Sequence, residues 1–263
     1  MGRETIGFQP GQIKSLENAG LPVEIAVGDR KIAGRLFVSA ERVGKIPGVL
    51  FLPGWRGNQA GSFENAQAIS KEGYECLTFD FGGWGASSGD ASIMSRKDFL
   101  DDAVAAYDFL AHANGVDPEN INVVGSSFGC YVAALLSKER SVKSLTLRAP
   151  ADYPDEGFDE AKIQTADQPG AMEWRSRIRD FSDTAALRSI HEFKGDIFVI
   201  ESGSDDMVPR GTVQSYMNAI PDAKKLSHVV MDGAPHALSK SPQAREEYAK
   251  ILAARFSENK KAE

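Results

Sequence analysis

Cysteine is scarce: Cys76 and Cys130 are the only two thiols in 263 residues, and both sit in segments that read as core strand and core helix. No disulfide framework can be built from them, and such usage fits a reducing compartment. Long apolar runs are also lacking. None approaches the roughly 20 residues that a membrane-crossing helix needs. The opening stretch from Met1 to Gly20 is polar and has no apolar core of a secretory leader. A soluble, cytoplasmic chain with no membrane span is therefore expected. Positive charge is in deficit as well, with 30 Lys+Arg against 37 Asp+Glu and a net charge of -7. Phosphate backbones need a basic surface, so nucleic acid is not the expected partner. The four histidines do not cluster with cysteines at zinc-like spacing. No G-x-x-x-x-G-K-[ST] phosphate loop occurs either, so neither metal nor organic cofactor is expected.

What is present is an ordinary globular composition, 42% hydrophobic and 25% charged, in a chain long enough for one large domain. Residues 22–27 and 32–39 are rich in β-branched side chains and flank Gly28-Asp29-Arg30-Lys31, which reads as an opening hairpin. Short apolar runs follow at 48–52, 75–79, 120–124, 142–147, 196–200 and 226–231, the pattern of strands buried on both faces. Helical periodicity lies between them. Residues 98–112 put Phe99, Ala103, Tyr107 and Leu110 on one face, with Asp101, Asp102 and Asp108 elsewhere; helices are also expected over 131–138 and 245–256. Alternating strands and helices predict an α/β fold with a mostly parallel sheet covered on both faces.

Between Leu147 and Asp196 the rhythm fails. An acidic cluster (Asp152, Asp155, Glu156, Asp159, Glu160) leads through Gln168-Pro169-Gly170 to a Trp174, Ile178, Phe181 stripe that predicts one packed helix. Excursions this long in compact domains are usually functional. A small lid over about 151–190, within a single domain spanning 1–263, is the expectation.

The chemistry-bearing motif is Gly125-Ser126-Ser127-Phe128-Gly129, a G-x-S-x-G between an apparent strand and an apparent helix. That context predicts a sharp elbow exposing the Ser127 hydroxyl at a helix N-terminus. A serine hydroxyl needs a base. His236 lies in the Gly/Pro loop after the last strand pattern, where α/β sheets build sites. His112 ends a helix, His191 precedes a strand, and His228 falls in an apolar run as a core histidine. The acid that orients the base belongs between them in chain order. Asp205 and Asp206 both follow the 196–200 run; Asp205 is preferred by its spacing to Val208-Pro209, and Asp232 is the outsider. Oxyanion donors are expected from the backbone N–H of Phe128 and of Trp55, in Pro53-Gly54-Trp55-Arg56-Gly57. The Trp55 indole either lines the acyl pocket or simply packs, and Arg56 reads as solvated.

With these blocks in place the chain resembles the α/β-hydrolase superfamily over nearly all of 22–258, in its esterase-like and serine-aminopeptidase-like branch. The resemblance rests on Leu52 to Trp55, on Asp80-Phe81-Gly82-Gly83-Trp84-Gly85-Ala86-Ser87-Ser88-Gly89, on Gly125 to Gly129, and on Asp205 to Pro209 with His236. It implies an eight-stranded, mostly parallel sheet and a Ser127–His236–Asp205 triad cleaving a carboxylic ester of a small-molecule acyl substrate. Two departures stand out. Pro53-Gly54 replaces the His-Gly of many members, and Gly82 stands where the family often has arginine. Thioesterase, peptidase or acyltransferase chemistry with the same triad, a lyase using it as a base, and a silent binding protein are the alternatives. Oligomeric state is not legible.

Overall fold

The computed structural model describes residues 20–40, 44–165 and 169–262. The polar N-terminal stretch up to Ala19 and Gln168 of the Gln-Pro-Gly turn lie outside the described residues. Eight strands form one sheet: β1 (Leu21–Val27), β2 (Arg30–Phe37), β3 (Ile46–Leu52), β4 (Glu75–Phe79), β5 (Val116–Ser126), β6 (Ser144–Arg148), β7 (Asp196–Ser204) and β8 (Leu226–Pro235). Their order is β1-β2-β4-β3-β5-β6-β7-β8. β1 and β2 form the expected hairpin, and β2 also runs antiparallel to β4. The remaining pairs are parallel.

The helices are α1 (Phe63–Lys71), α2 (Arg96–Ala111), α3 (Phe128–Glu139), α4 (Lys162–Thr165), α5 (Ala171–Ser176), α6 (Ala185–Glu192), α7 (Arg210–Ala219) and α8 (Pro242–Ala262). Because side chains alternate across a strand, the parallel strands feed two cores. Leu50, Leu77, Phe79, Val123, Leu145 and Val199 face α2, α3 and α6. Val49, Phe51, Cys76, Val124 and Ile200 face α1 and α8. α2 opens on a reciprocal cap, in which the Ser95 hydroxyl accepts from the Asp98 N–H and the Asp98 carboxylate accepts from the Ser95 N–H.

Several expectations are corrected. Helices α1 and α7, not among those expected from the sequence, also form and pack. Asp102 is not on the outer face of α2; its carboxyl is buried and accepts from Arg30 Nη1 at 2.8 Å and from the Gly82 N–H at 2.8 Å. The Trp174, Ile178, Phe181 stripe is not one packed helix. α5 ends at Ser176, where Arg177 turns extended, and Ile178 and Phe181 are 62% and 39% exposed. Phe181 instead stacks on the His191 ring with centroids 3.9 Å apart. His228 is not in the core, because β8 is an edge strand. It lies on the surface, its Nε2 bonded to Glu201 at 3.2 Å.

Two buried carboxyls titrate abnormally. Burial pushes Asp102 up to about 6, against the opposing pull of the Gly82 amide and Arg30. Burial likewise pushes Asp152 up to about 7, although the Tyr153 amide and the Thr184 hydroxyl partly offset it. A folded pKa above the unfolded one means that the native state binds the proton more tightly. Its contribution is complete below about pH 4 and is lost as pH rises through about 7. Thermal unfolding of the wild type and Asp152→Asn should therefore diverge. Between pH 5 and 8 the wild type should lose on the order of 2–3 kcal/mol relative to the variant; parallel stability curves would contradict the assignment.

Candidate active site

β3, β5, β6, β7 and β8 are neighbours in the sheet and run parallel, so their carboxyl ends line one edge. Each sequence-predicted residue follows one of these ends. Ser127 leaves β5 in a conformation rare for a side-chain-bearing residue, φ 53 and ψ -115, and starts α3. Its N–H donates to the Arg148 carbonyl oxygen at 2.9 Å, and its own carbonyl accepts from Cys130 N–H at 2.9 Å. Two glycines permit this turn. A Cβ at Gly125 would lie 2.7 Å from the Gly129 carbonyl oxygen, and one at Gly129 would overlap the Leu52 carbonyl and lie 2.7 Å from that of Pro53. α3 thus sits directly on the end of β3.

His236 follows β8 and Asp205 follows β7, and the structure brings these two together. His236 Nδ1 donates to Asp205 Oδ2 at 2.8 Å, with the two side chains 16% and 8% exposed. Asp205 Oδ1 is occupied separately by the N–H groups of Met207 (2.8 Å) and Val208 (2.7 Å). Burial pushes the Asp205 carboxyl upward, but the His236 bond and the two amides outweigh it and hold it below the ordinary value. Asp206 faces solvent with Lys240 at 3.9 Å, and Asp232 is exposed. Arg148 ties the residue before Ser127 to the His236 main chain, its guanidinium bonding both the Ser126 hydroxyl (3.3 Å) and the His236 carbonyl oxygen. Among the described residues, no hydrogen bond joins the Ser127 hydroxyl to the His236 ring.

The loop after β3 turns tightly, Gly57 N–H donating to the Gly54 carbonyl at 2.9 Å, and leaves Arg56 exposed. The Trp55 indole packs edge-on against Trp84, Phe99 and Phe128 at 5.4–5.6 Å. Lys162 Nζ, almost fully buried, lies 4.0 Å from the Trp55 ring centroid, 4.3 Å from Tyr153 and 4.8 Å from Phe128. Neither Arg148 nor Lys162 was singled out by the sequence. A charged residue closing the otherwise buried apolar run SLTLR was the signal available for the first.

Among the described residues no group of three His, Cys, Asp or Glu could hold a metal ion, and no helix is long and apolar enough to cross a membrane. A cavity of about 400 Å³ lined by Ser137, Arg140, Ser189 and Phe193 opens at the amino ends of β6 and β7, away from these residues.

The model of the alpha/beta hydrolase fold family matches residues 47–175. An uncharacterized protein of Mycobacterium tuberculosis is 28% identical over 218 residues, covering 83% of this chain and 73% of that one. A mitochondrial palmitoyl-protein thioesterase of Pongo abelii is 28% identical over 128 residues, 46% of this chain and 39% of its own. In structure, the esterase Pf2001 of Pyrococcus furiosus superposes with a TM-score of 0.66 at 20% identity, covering 98% of each chain.

The seat of α3 gives a direct test. Gly129→Ala should cost about 2–3 kcal/mol by overpacking, roughly 5–10 °C in Tm. A variant as stable as the wild type would show that the helix is not seated as described.

Proposed function

We propose that this chain, an α/β hydrolase by its fold, cleaves carboxylic esters through an acyl-enzyme on Ser127. Ser127 Oγ attacks the carbonyl carbon while His236 Nε2 takes its proton, and Asp205 holds the imidazole in the tautomer that leaves Nε2 free to accept. The N–H groups of Trp55 and Phe128 receive the oxyanion. Collapse expels the alcohol, protonated by His236, and water repeats the sequence to release the acid. The observation that carries this is the 2.8 Å His236–Asp205 bond, together with a serine held at φ 53 on a helix N-terminus at the same edge of the sheet. Residues 151–190 cover the site, a reading supported by the Lys162 ammonium resting on the rings of Trp55 and Phe128, and the part free to act as a lid is the exposed stretch around Ile178 and Phe181.

Thioesters are the second substrate class, because one relative matched over 46% of the chain is named a palmitoyl-protein thioesterase. Both classes enter one experiment. p-Nitrophenyl esters from acetate to decanoate and matching acyl thioesters are assayed with the wild type and Ser127→Ala, together with a fluorophosphonate probe. The wild type should label and turn over. Ser127→Ala should not label and should lose at least about 10³-fold in kcat. An unlabelled wild type, or a fully active Ser127→Ala, sinks the proposal.

The acid has its own test. Asp205→Asn should lower kcat by roughly 10³–10⁴ through the wrong imidazole tautomer, while Asp206→Asn should stay within about twofold. Reversed effects would move the acid to Asp206.

A further inference from the structure

Arg148 closes β6 with only 4% of its surface exposed. Its contacts lead to each strand end that carries a candidate residue. Nη1 donates to the hydroxyl of Ser126, the residue before the nucleophile, at 3.3 Å. Nη2 donates to the hydroxyl of Ser202 on β7, three residues before Asp205, at 3.4 Å, and to the main-chain carbonyl of His236. The main chain of Arg148 takes part as well, accepting the Ser127 N–H at 2.9 Å. The next residue, Ala149, is held at φ 48 with its N–H bonded to the Ile200 carbonyl at 2.8 Å.

Such a group is expensive in this position. No ion pair among the described residues includes it, and Nε has no hydrogen-bond partner. Burial pushes its pKa down. An isolated buried cation costs more than an apolar residue of similar volume would. Packing alone would favour methionine or leucine at the end of a buried strand, so the guanidinium calls for another reason.

We propose that Arg148 is a positioning residue, whose fork fixes the His236 loop against the strand ends bearing Ser127 and Asp205. This rests on the hydrolase reading above. Three acceptors on three strands are spanned by one planar, rigid side chain, a task that suits arginine and not lysine. The charged and titratable neighbours leave Asp205 as the anion facing it. Tyr248 of α8 and Cys130 of α3 are buried and pushed up, hence neutral. Glu201 is engaged by His228 and Arg210, and Asp206 by Lys240.

The test compares wild type, Arg148→Met and Arg148→Lys as full chains. It measures kcat and KM on a p-nitrophenyl ester, with fluorophosphonate labelling rates and circular dichroism. Both variants should lose roughly 10–100-fold in kcat and in labelling rate, as expected for misplaced reacting groups, with KM within about threefold. Arg148→Lys keeps the charge but not the planar fork, so it should restore neither kcat nor the labelling rate. Should Arg148→Met not fold, Arg148→Lys and Ser202→Ala carry the kcat arm, the latter with a several-fold loss. A folded variant with wild-type kcat and labelling rate would reduce Arg148 to a structural cation. A wild type that neither labels nor turns over would overturn the hydrolase reading and this one together. An active wild type matched by its variants would overturn this one alone.

Discussion

The contact on which the site depends is the seat of α3 against the end of β3, made without side chains at Gly125 and Gly129. A helix normally stands about 10 Å from the sheet it covers, because side chains hold it off. Here the first turn comes down until Gly129 lies against the carbonyls of Leu52 and Pro53. The strand-to-helix reversal is then so sharp that Ser127 must take a positive φ, at a cost of order 1–3 kcal/mol. The Arg148 and Cys130 main-chain bonds hold it there. The same approach brings the loop after β3 over the start of α3, so that Trp55 and Phe128 meet ring edge to ring face. The Ser127 turn, the loop after β3 and the aromatic cluster therefore share one steric cause.

A second constraint governs the loop after β4. Asp80 accepts from the N–H and side-chain amide of Gln59 and from the Ala86 N–H, at 2.7, 3.1 and 3.0 Å. Gly85 has no room for a Cβ beside that carboxylate. Gly82 is explained in the same way. A Cβ there would overlap Arg30 Nη1, which reaches across from β2 to Asp102. The arginine common at this place in the resembling family is thus replaced by one from the hairpin, and the glycine is the space it occupies. Asp102 is thereby bonded at both oxygens, yet its burial outweighs these bonds and it titrates high.

The strands were legible because burial on both faces leaves an unambiguous apolar run, and the elbow because its glycines are required sterically. Asp205 could be preferred over Asp206 by its spacing to Val208-Pro209, and the geometry gives the first to His236 and the second to solvent. What escaped had no local signal. FENAQAISK of α1 mixes polar and apolar residues with little contrast, and only its contacts with α8 and β4 make it a core helix. Asp102 reads as an outward acid until Arg30, 72 residues away, is known to face it. His228 looked buried because its strand is apolar, yet a strand at the sheet edge exposes much of what an inner strand would bury. Arg148 depends on three loops meeting, which no window of sequence contains.

The segment between β6 and β7 is pinned unevenly, and that limits how it can move. Near its start the Arg96 guanidinium, 1% exposed, bonds the carbonyls of Pro154 and Glu156 and the Tyr131 hydroxyl at 3.2 Å. Lys162 is buried among three rings, and its N–H bonds the Met94 carbonyl at 2.8 Å. Near its end Asp152 accepts from Thr184, which caps α6. Lifting either end would strip buried charges of their partners, a loss of several kcal/mol each. Between them α5 buries no residue, and Ile178 and Phe181 are exposed. The ties there are bonds to α7, from Thr212 Oγ1 to the Arg175 carbonyl and from Arg179 N–H to Ser215 Oγ. Bonds of this kind are worth about 1 kcal/mol net. Any movement of this segment would therefore be centred between residues 169 and 182, and the stretch around Tyr153 and Lys162 would stay fixed against the rings of Trp55 and Phe128.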